Sequence, residues 1–130
     1  MRILYDCSSE DQIILSQIME KYEAVVPVWV KQIRFVYDST LEDICTINVN
    51  DPYLDACITI SPRWRARFFP EQTEDIVHEL SHLYTCPMMR PARSLAVELE
   101  NPIKDFALEQ LRVAMETATE HLCQTFLRIV

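Results

Sequence analysis

The chain contains no glycine among its 130 residues. Glycine lets a backbone turn left-handed and approach a phosphate closely, so its absence excludes the dinucleotide fingerprint and the P-loop alike. No nucleotide cofactor is therefore expected. Turns must be built from Asn, Asp, Ser and Pro, and such residues cluster at Asp38-Ser39-Thr40 and Asn50-Asp51-Pro52.

The length fits one domain, residues 1–130, and 49% hydrophobic with 25% charged residues is the composition of a soluble globular protein. Twelve Lys and Arg against 20 Asp and Glu leave a net charge of -8. That balance argues against duplex nucleic acid as a partner, because binding phosphate needs a basic face. The five cysteines are odd in number and form no CxxC pair, which points to reduced thiols in a cytoplasmic protein. The segment Met1-Arg2-Ile3-Leu4-Tyr5-Asp6 lacks a signal-peptide apolar region, and no apolar run approaches a membrane span. A soluble cytoplasmic chain with no membrane partner is expected.

Hydrophobic periodicity divides the chain in three. From Ser8 or Ser9 to about Tyr22 the spacing of Ile14, Leu15, Ile18 and Tyr22 is helical, with serine available to cap. Residues 33–37, 45–49 and 56–60 alternate in period two, as half-buried strands do, and predict a three-stranded antiparallel sheet. Arg63, Arg65 and Arg67 then alternate with Trp64, Ala66 and Phe68. In extended form these give one cationic side, either solvated or a lip for an acidic partner. A helix is predicted from Glu71 to about Tyr84, ending before Pro87, then a loop over Cys86–Pro91 and a short helix near 92–100. Asn101-Pro102 opens a long final helix to about Arg128. The order defines an α+β fold: a short antiparallel sheet with helices packed on one face.

The helix after Pro70 carries His78-Glu79-Leu80-Ser81-His82, an HExxH motif. Histidines four apart lie about 40° apart around a helix and one turn along it, so both imidazoles reach one metal ion. The intervening Glu79 sits where it can take a proton from metal-bound water. Ile76, Val77, Leu80, Leu83 and Tyr84 form a contiguous apolar arc for the core, which turns the histidines outward or into a cleft. Two of only three histidines fall at this spacing with Glu in the required place.

A catalytic zinc commonly takes three protein ligands and keeps one open position. Cys86 lies about 12 Å along the helix from His78, too far to share an ion with it. The final helix offers Glu116 and Glu120, which project on a stripe with Val113, Cys123 and Leu127, away from the polar arc of Gln110, Thr117, His121, Gln124 and Arg128. Carboxylates among apolar residues are costly to bury unless paired or ligated. Glu116 is the favoured third ligand; the alternative is an exposed Arg112–Glu116 pair at i,i+4. Glu98, Glu100 and Glu109 are weaker candidates.

HExxH followed by Glu116-x-x-x-Glu120 on a later helix resembles the gluzincins, and the whole chain resembles the smallest single-domain forms, the minigluzincins and phage- or prophage-encoded metallopeptidase-like proteins. The likeness spans roughly residues 55–125 and includes the approach Ile60-Ser61-Pro62-Arg63-Trp64. It implies zinc held by His78, His82 and Glu116, with Glu79 as general base and Glu120 steadying the other nitrogen of a histidine. It implies a peptide or protein substrate, and the host cytoplasm as location if the chain is phage-encoded. Tyr84 and His121 are the conceivable oxyanion stabilisers, and residues 56–61 a sheet edge that could hold an extended peptide. The competing readings are a non-catalytic zinc-containing binding or regulatory protein and an acidic interaction module without metal.

Overall fold

The computed structural model describes all 130 residues. A strand β1 (Arg2–Asp6) and helix α1 (Ser9–Tyr22) precede strands β2 (Gln32–Tyr37), β3 (Cys45–Asn50) and β4 (Asp55–Ile60). The short helix α2 (Pro62–Arg65) and two long helices, α3 (Phe69–Ala96) and α4 (Ile103–Ile129), complete the chain. Helix α1 begins where the sequence indicates: Ser8 Oγ accepts from the Asp11 amide at 3.1 Å, and the Asp11 carboxylate accepts from the Ser8 amide at 3.4 Å.

The α+β class holds, and the sheet differs from the antiparallel one expected. It has four strands in the order β1-β2-β4-β3; β1–β2 and β2–β4 are parallel and only β3–β4 is antiparallel. The added strand is β1, three apolar residues between charged ends and too short to announce itself by alternation. Once β1 exists, α1 is a crossover connection, and a crossover joins parallel strands. Strand β4, not β3, lies beside β2 because β4 presents Ala56, Ile58 and Ile60 to the core. Strand β3, with Thr46, Asn48 and Asn50, has the polar composition of an edge.

Register aligns Ile33, Phe35, Ala56, Ile58 and Ile60 on one face, where they meet Leu15, Ile18 and Met19 of α1 and Ile76, Val77, Leu80 and Leu83 of α3. Arg34, Cys57 and Thr59 fall on the opposite face. Between β3 and β4 the backbone passes through the left-handed region at Leu54 (φ 62°), a position glycine would normally take and which here costs about 1–2 kcal/mol.

Two further expectations are corrected. The arginine-rich segment is not a strand. Ser61 Oγ accepts from the Trp64 amide and Pro62 occupies the first turn, so α2 forms. Trp64 is fully buried and donates to Gln72 O while Gln72 Nε2 donates back to Trp64 O, which fixes α2 against α3. Arg65 then reaches the buried carboxylate of Asp11 at 2.6 and 3.0 Å and lies over the Tyr37 ring; Arg67 pairs with Asp75 at 2.6 Å. Arg65 and Arg67 are internal ties, not a free lip, while Arg63 stays exposed.

The second correction is α3 itself. It runs through Pro87 and Pro91 to Ala96, with no loop over residues 86–91. Each proline removes one i→i−4 bond and costs about 3 kcal/mol in an isolated helix. The helix continues nonetheless, and α3 as a whole makes the most extensive contact between elements with α4. The sequence signal was local and did not end the helix. No helix is long and apolar enough to cross a membrane.

Candidate metal centre

The apolar arc of α3 fixes the rotation of the helix. With Ile76, Val77, Leu80 and Leu83 fully buried, His78 and His82 turn towards α4 and a cleft of about 700 Å³. One wall of that cleft is α3; another is the start of β3, from Ile44 to Ile47; Met115 and Glu116 of α4 supply a third. Glu116 faces both histidines: one carboxylate oxygen is 3.5 Å from His78 Nε2 and the other 3.5 Å from His82 Nε2. Arg112 pairs with Glu109 at 2.7 Å and not with Glu116, so the surface-pair alternative does not form.

Those separations are long for charge-assisted hydrogen bonds, which run about 2.7–2.9 Å. They are close to the edge of a tetrahedron with metal–ligand bonds of 2.0–2.1 Å, about 3.4 Å. Two imidazoles and one carboxylate also form the donor set of a catalytic zinc site with a position left for water. The three ligand atoms lie within 4.8 Å of one another, and the residues present fit a divalent cation.

The remaining ring nitrogens fix the tautomers. His78 Nδ1 lies 2.9 Å from Glu120 Oε2, and Glu120 is itself held by Gln124 Nε2 at 2.8 Å. The Gln124 hydrogen bond, with His78 behind it, holds the Glu120 carboxyl below its ordinary range, so as a carboxylate it accepts a hydrogen bond from Nδ1–H and leaves Nε2 free. His82 Nδ1 lies 3.4 Å from Thr119 Oγ1 and 3.8 Å from Cys86 Sγ. Thr119 donates to Met115 O at 2.7 Å, which leaves its oxygen lone pairs for His82 and for Thr85 at 2.8 Å. Burial holds His82 below its ordinary pKa and hence neutral, the form that ligates.

Glu79 sits beside the cluster and is not part of it. Its carboxyl is pushed up to about 8, chiefly by burial and then by the Glu116 carboxylate. Cys45 Sγ donates to Glu79 Oε1 at 3.8 Å, leaving Oε2 without a protein donor. A group poised near neutrality and in the cleft is suited to accepting and returning a proton.

A second grouping, His78, Glu120 and Cys123, also brings ligand atoms together. It is the poorer site: Cys123 is fully buried, donates to Glu74 O, and its thiol is pushed up to about 12 by burial. Glu98 and Glu100 are exposed near the α3–α4 turn, Glu109 is taken by Arg112, and none lines the cleft. Tyr84 faces away, donating to Val25 O and packing on Phe126, and His121 does not line the cleft either. Neither is placed to stabilise an oxyanion. Thr85 and Thr119, which sequence reading passed over, lie three residues after His82 and Glu116, so helical spacing alone could have nominated them.

These contacts order the two glutamates. Glu116→Ala removes the carboxylate that faces both histidines and should weaken zinc by more than 100-fold. Glu120→Ala removes only the hydrogen-bond partner of His78 and should cost about 10- to 100-fold. Competition with a chromogenic chelator measures both. The reverse order would exchange their roles.

The fold and site define a class: a small α+β domain in which two histidines on one helix and a glutamate on the next converge beside a buried glutamate. Comparison of the chain with protein-family models, with curated proteins and with solved structures finds no match.

Proposed function

We propose that this chain is a zinc metallopeptidase of the gluzincin type. The observation that carries the reading is the convergence of His78 Nε2, His82 Nε2 and the Glu116 carboxylate from two helices, with Glu79 alongside and free to move a proton. A zinc ion held by these three residues would lower the pKa of a coordinated water and polarise a carbonyl. Glu79 Oε2 takes one proton from the attacking water and delivers it to the departing amide nitrogen as the C–N bond breaks. Glu120 and Thr119 keep both imidazoles oriented throughout.

The sheet edge supports a peptide substrate. Residues 56–61 are not that edge, because β4 lies between β2 and β3. The edge is β3, whose first residues line the same cleft as the histidines. An extended peptide added to β3 brings its backbone past the metal ligands, with main-chain hydrogen bonds supplying affinity.

The test is hydrolysis by zinc-reconstituted protein of a mixed-sequence peptide library read by mass spectrometry. Cleavage should appear, stop on chelation and return with zinc. Metal-loaded protein that cleaves nothing would favour a zinc-containing binding protein.

A further inference from the structure

Beyond the histidines the cleft continues into a groove of about 510 Å³, walled by Ile47, Asn48 and Val49 of β3 and by Cys86, Arg90, Arg93 and Val97 on the α3 side. The two cavities share Ile47, Cys86 and Arg93. Strand β3 and helix α3 therefore run side by side away from the metal centre, and a peptide lying on the β3 edge passes along this groove.

The cations here differ in what they hold. Arg90 is paired with Asp51. Arg63, at the other end of the cleft, donates to Glu42 O. Arg93 lines both cavities and makes no ion pair or side-chain hydrogen bond with the protein. On a helix it lies about 20° from His82 and about 16 Å further along, on the same stripe. Near the metal ligands the carboxylates of Asp43 and Glu116 also line the cleft, and Arg93 is the one arginine of the two cavities that makes neither an ion pair nor a side-chain hydrogen bond.

We propose that Arg93 is a specificity-determining residue that selects peptides with an Asp or Glu side chain about four residues from the scissile bond. From Cys45 to Val49 is four residues, about 13 Å at strand rise; the flexible arginine side chain bridges the remaining few ångströms to the level of its own Cα. Antiparallel addition is the more stable pairing, and β3 runs away from the metal, so the acidic residue lies N-terminal to the cleaved bond. A guanidinium with no internal partner meets that carboxylate without first breaking an ion pair.

This inference rests on the peptidase reading, and one experiment separates the two. The probe is a positional-scanning library of end-blocked nonapeptides, binding to zinc-loaded Glu79→Gln protein and cleaved by the wild type. Asp and Glu should be enriched at one position on the N-terminal side, by roughly two- to fivefold as for an exposed ion pair, and the preference should shrink at high salt. Arg93→Gln should flatten it, and Arg93→Glu should transfer it to Lys and Arg at the same position. Arg93 is exposed, so these variants should fold as the wild type does. Binding and cleavage with no acidic preference, or a preference unchanged in both variants, overturns the inference and leaves the peptidase reading standing. A library that is neither bound nor cleaved overturns both.

Discussion

Alanine at His82 should abolish zinc binding by this chain. Wild-type protein reconstituted with zinc and desalted should carry about one ion per chain, the stoichiometry of a single three-ligand site. His82→Ala removes the more buried of the two imidazoles, and with it the nitrogen that faces one oxygen of Glu116. Zinc-binding free energies of about 10–16 kcal/mol shared among four ligands make each ligand worth roughly 100- to 1000-fold in affinity. Loss of one should take zinc below what survives desalting. Thermal unfolding gives an independent readout: at a thousandfold excess over Kd, zinc adds about 4 kcal/mol to the wild type, and most of that should vanish in the variant. Because His82 is buried among Thr119, Cys86 and α4, alanine there also opens a cavity. His78→Ala, at a half-exposed position, is the cleaner companion and should lose zinc to a similar degree. A wild-type protein that stays metal-free after reconstitution would remove the basis of the peptidase reading.

How much of this could be read from sequence depends on whether the deciding interaction was local. Helix α1 follows from its serine cap and apolar spacing, and β2, β3 and β4 from period-two alternation; each appears within a residue or two of its expected bounds. The rotation of α3 follows from one apolar arc, so the outward turn of His78 and His82 was legible, and so was the stripe that brings Glu116 and Glu120 to them. Strand order was not. Alternation shows that a segment is a strand without showing its neighbour: the parallel β1–β2 pairing follows from β1, which three apolar residues did not reveal, and the parallel β2–β4 pairing follows from β3 taking the edge. The passage of α3 through Pro87 and Pro91 was hidden because the local proline signal predicts an end to the helix that the structure does not show. The polar support of the centre was half visible. Glu120 could be proposed from its spacing, whereas the contact between Thr119 and His82 depends on how closely two helices approach.

Glu79→Gln should abolish hydrolysis while leaving zinc in place, and no other single change tests the proposed chemistry as directly. Glu79 contributes no ligand atom to the cluster of His78, His82 and Glu116. Glutamine has the same shape, and its side-chain oxygen can still accept from Cys45, so the cleft keeps its walls. A carboxylate with a raised pKa can hold a proton between water and the leaving nitrogen; an amide accepts none at any accessible pH. The loss should be about 100- to 10,000-fold in kcat, the range of a positioned general base, with KM for peptide little changed. Zinc content and unfolding temperature should match the wild type, which distinguishes loss of a proton carrier from loss of the site. Glu79→Asp shortens the side chain by one methylene and keeps the carboxylate, so it should recover part of the rate. Undiminished cleavage by the glutamine variant would mean that the proton moves through another group, and the remaining cleft carboxylates, Asp43, Asp75 and Glu116, would be the alternatives to examine.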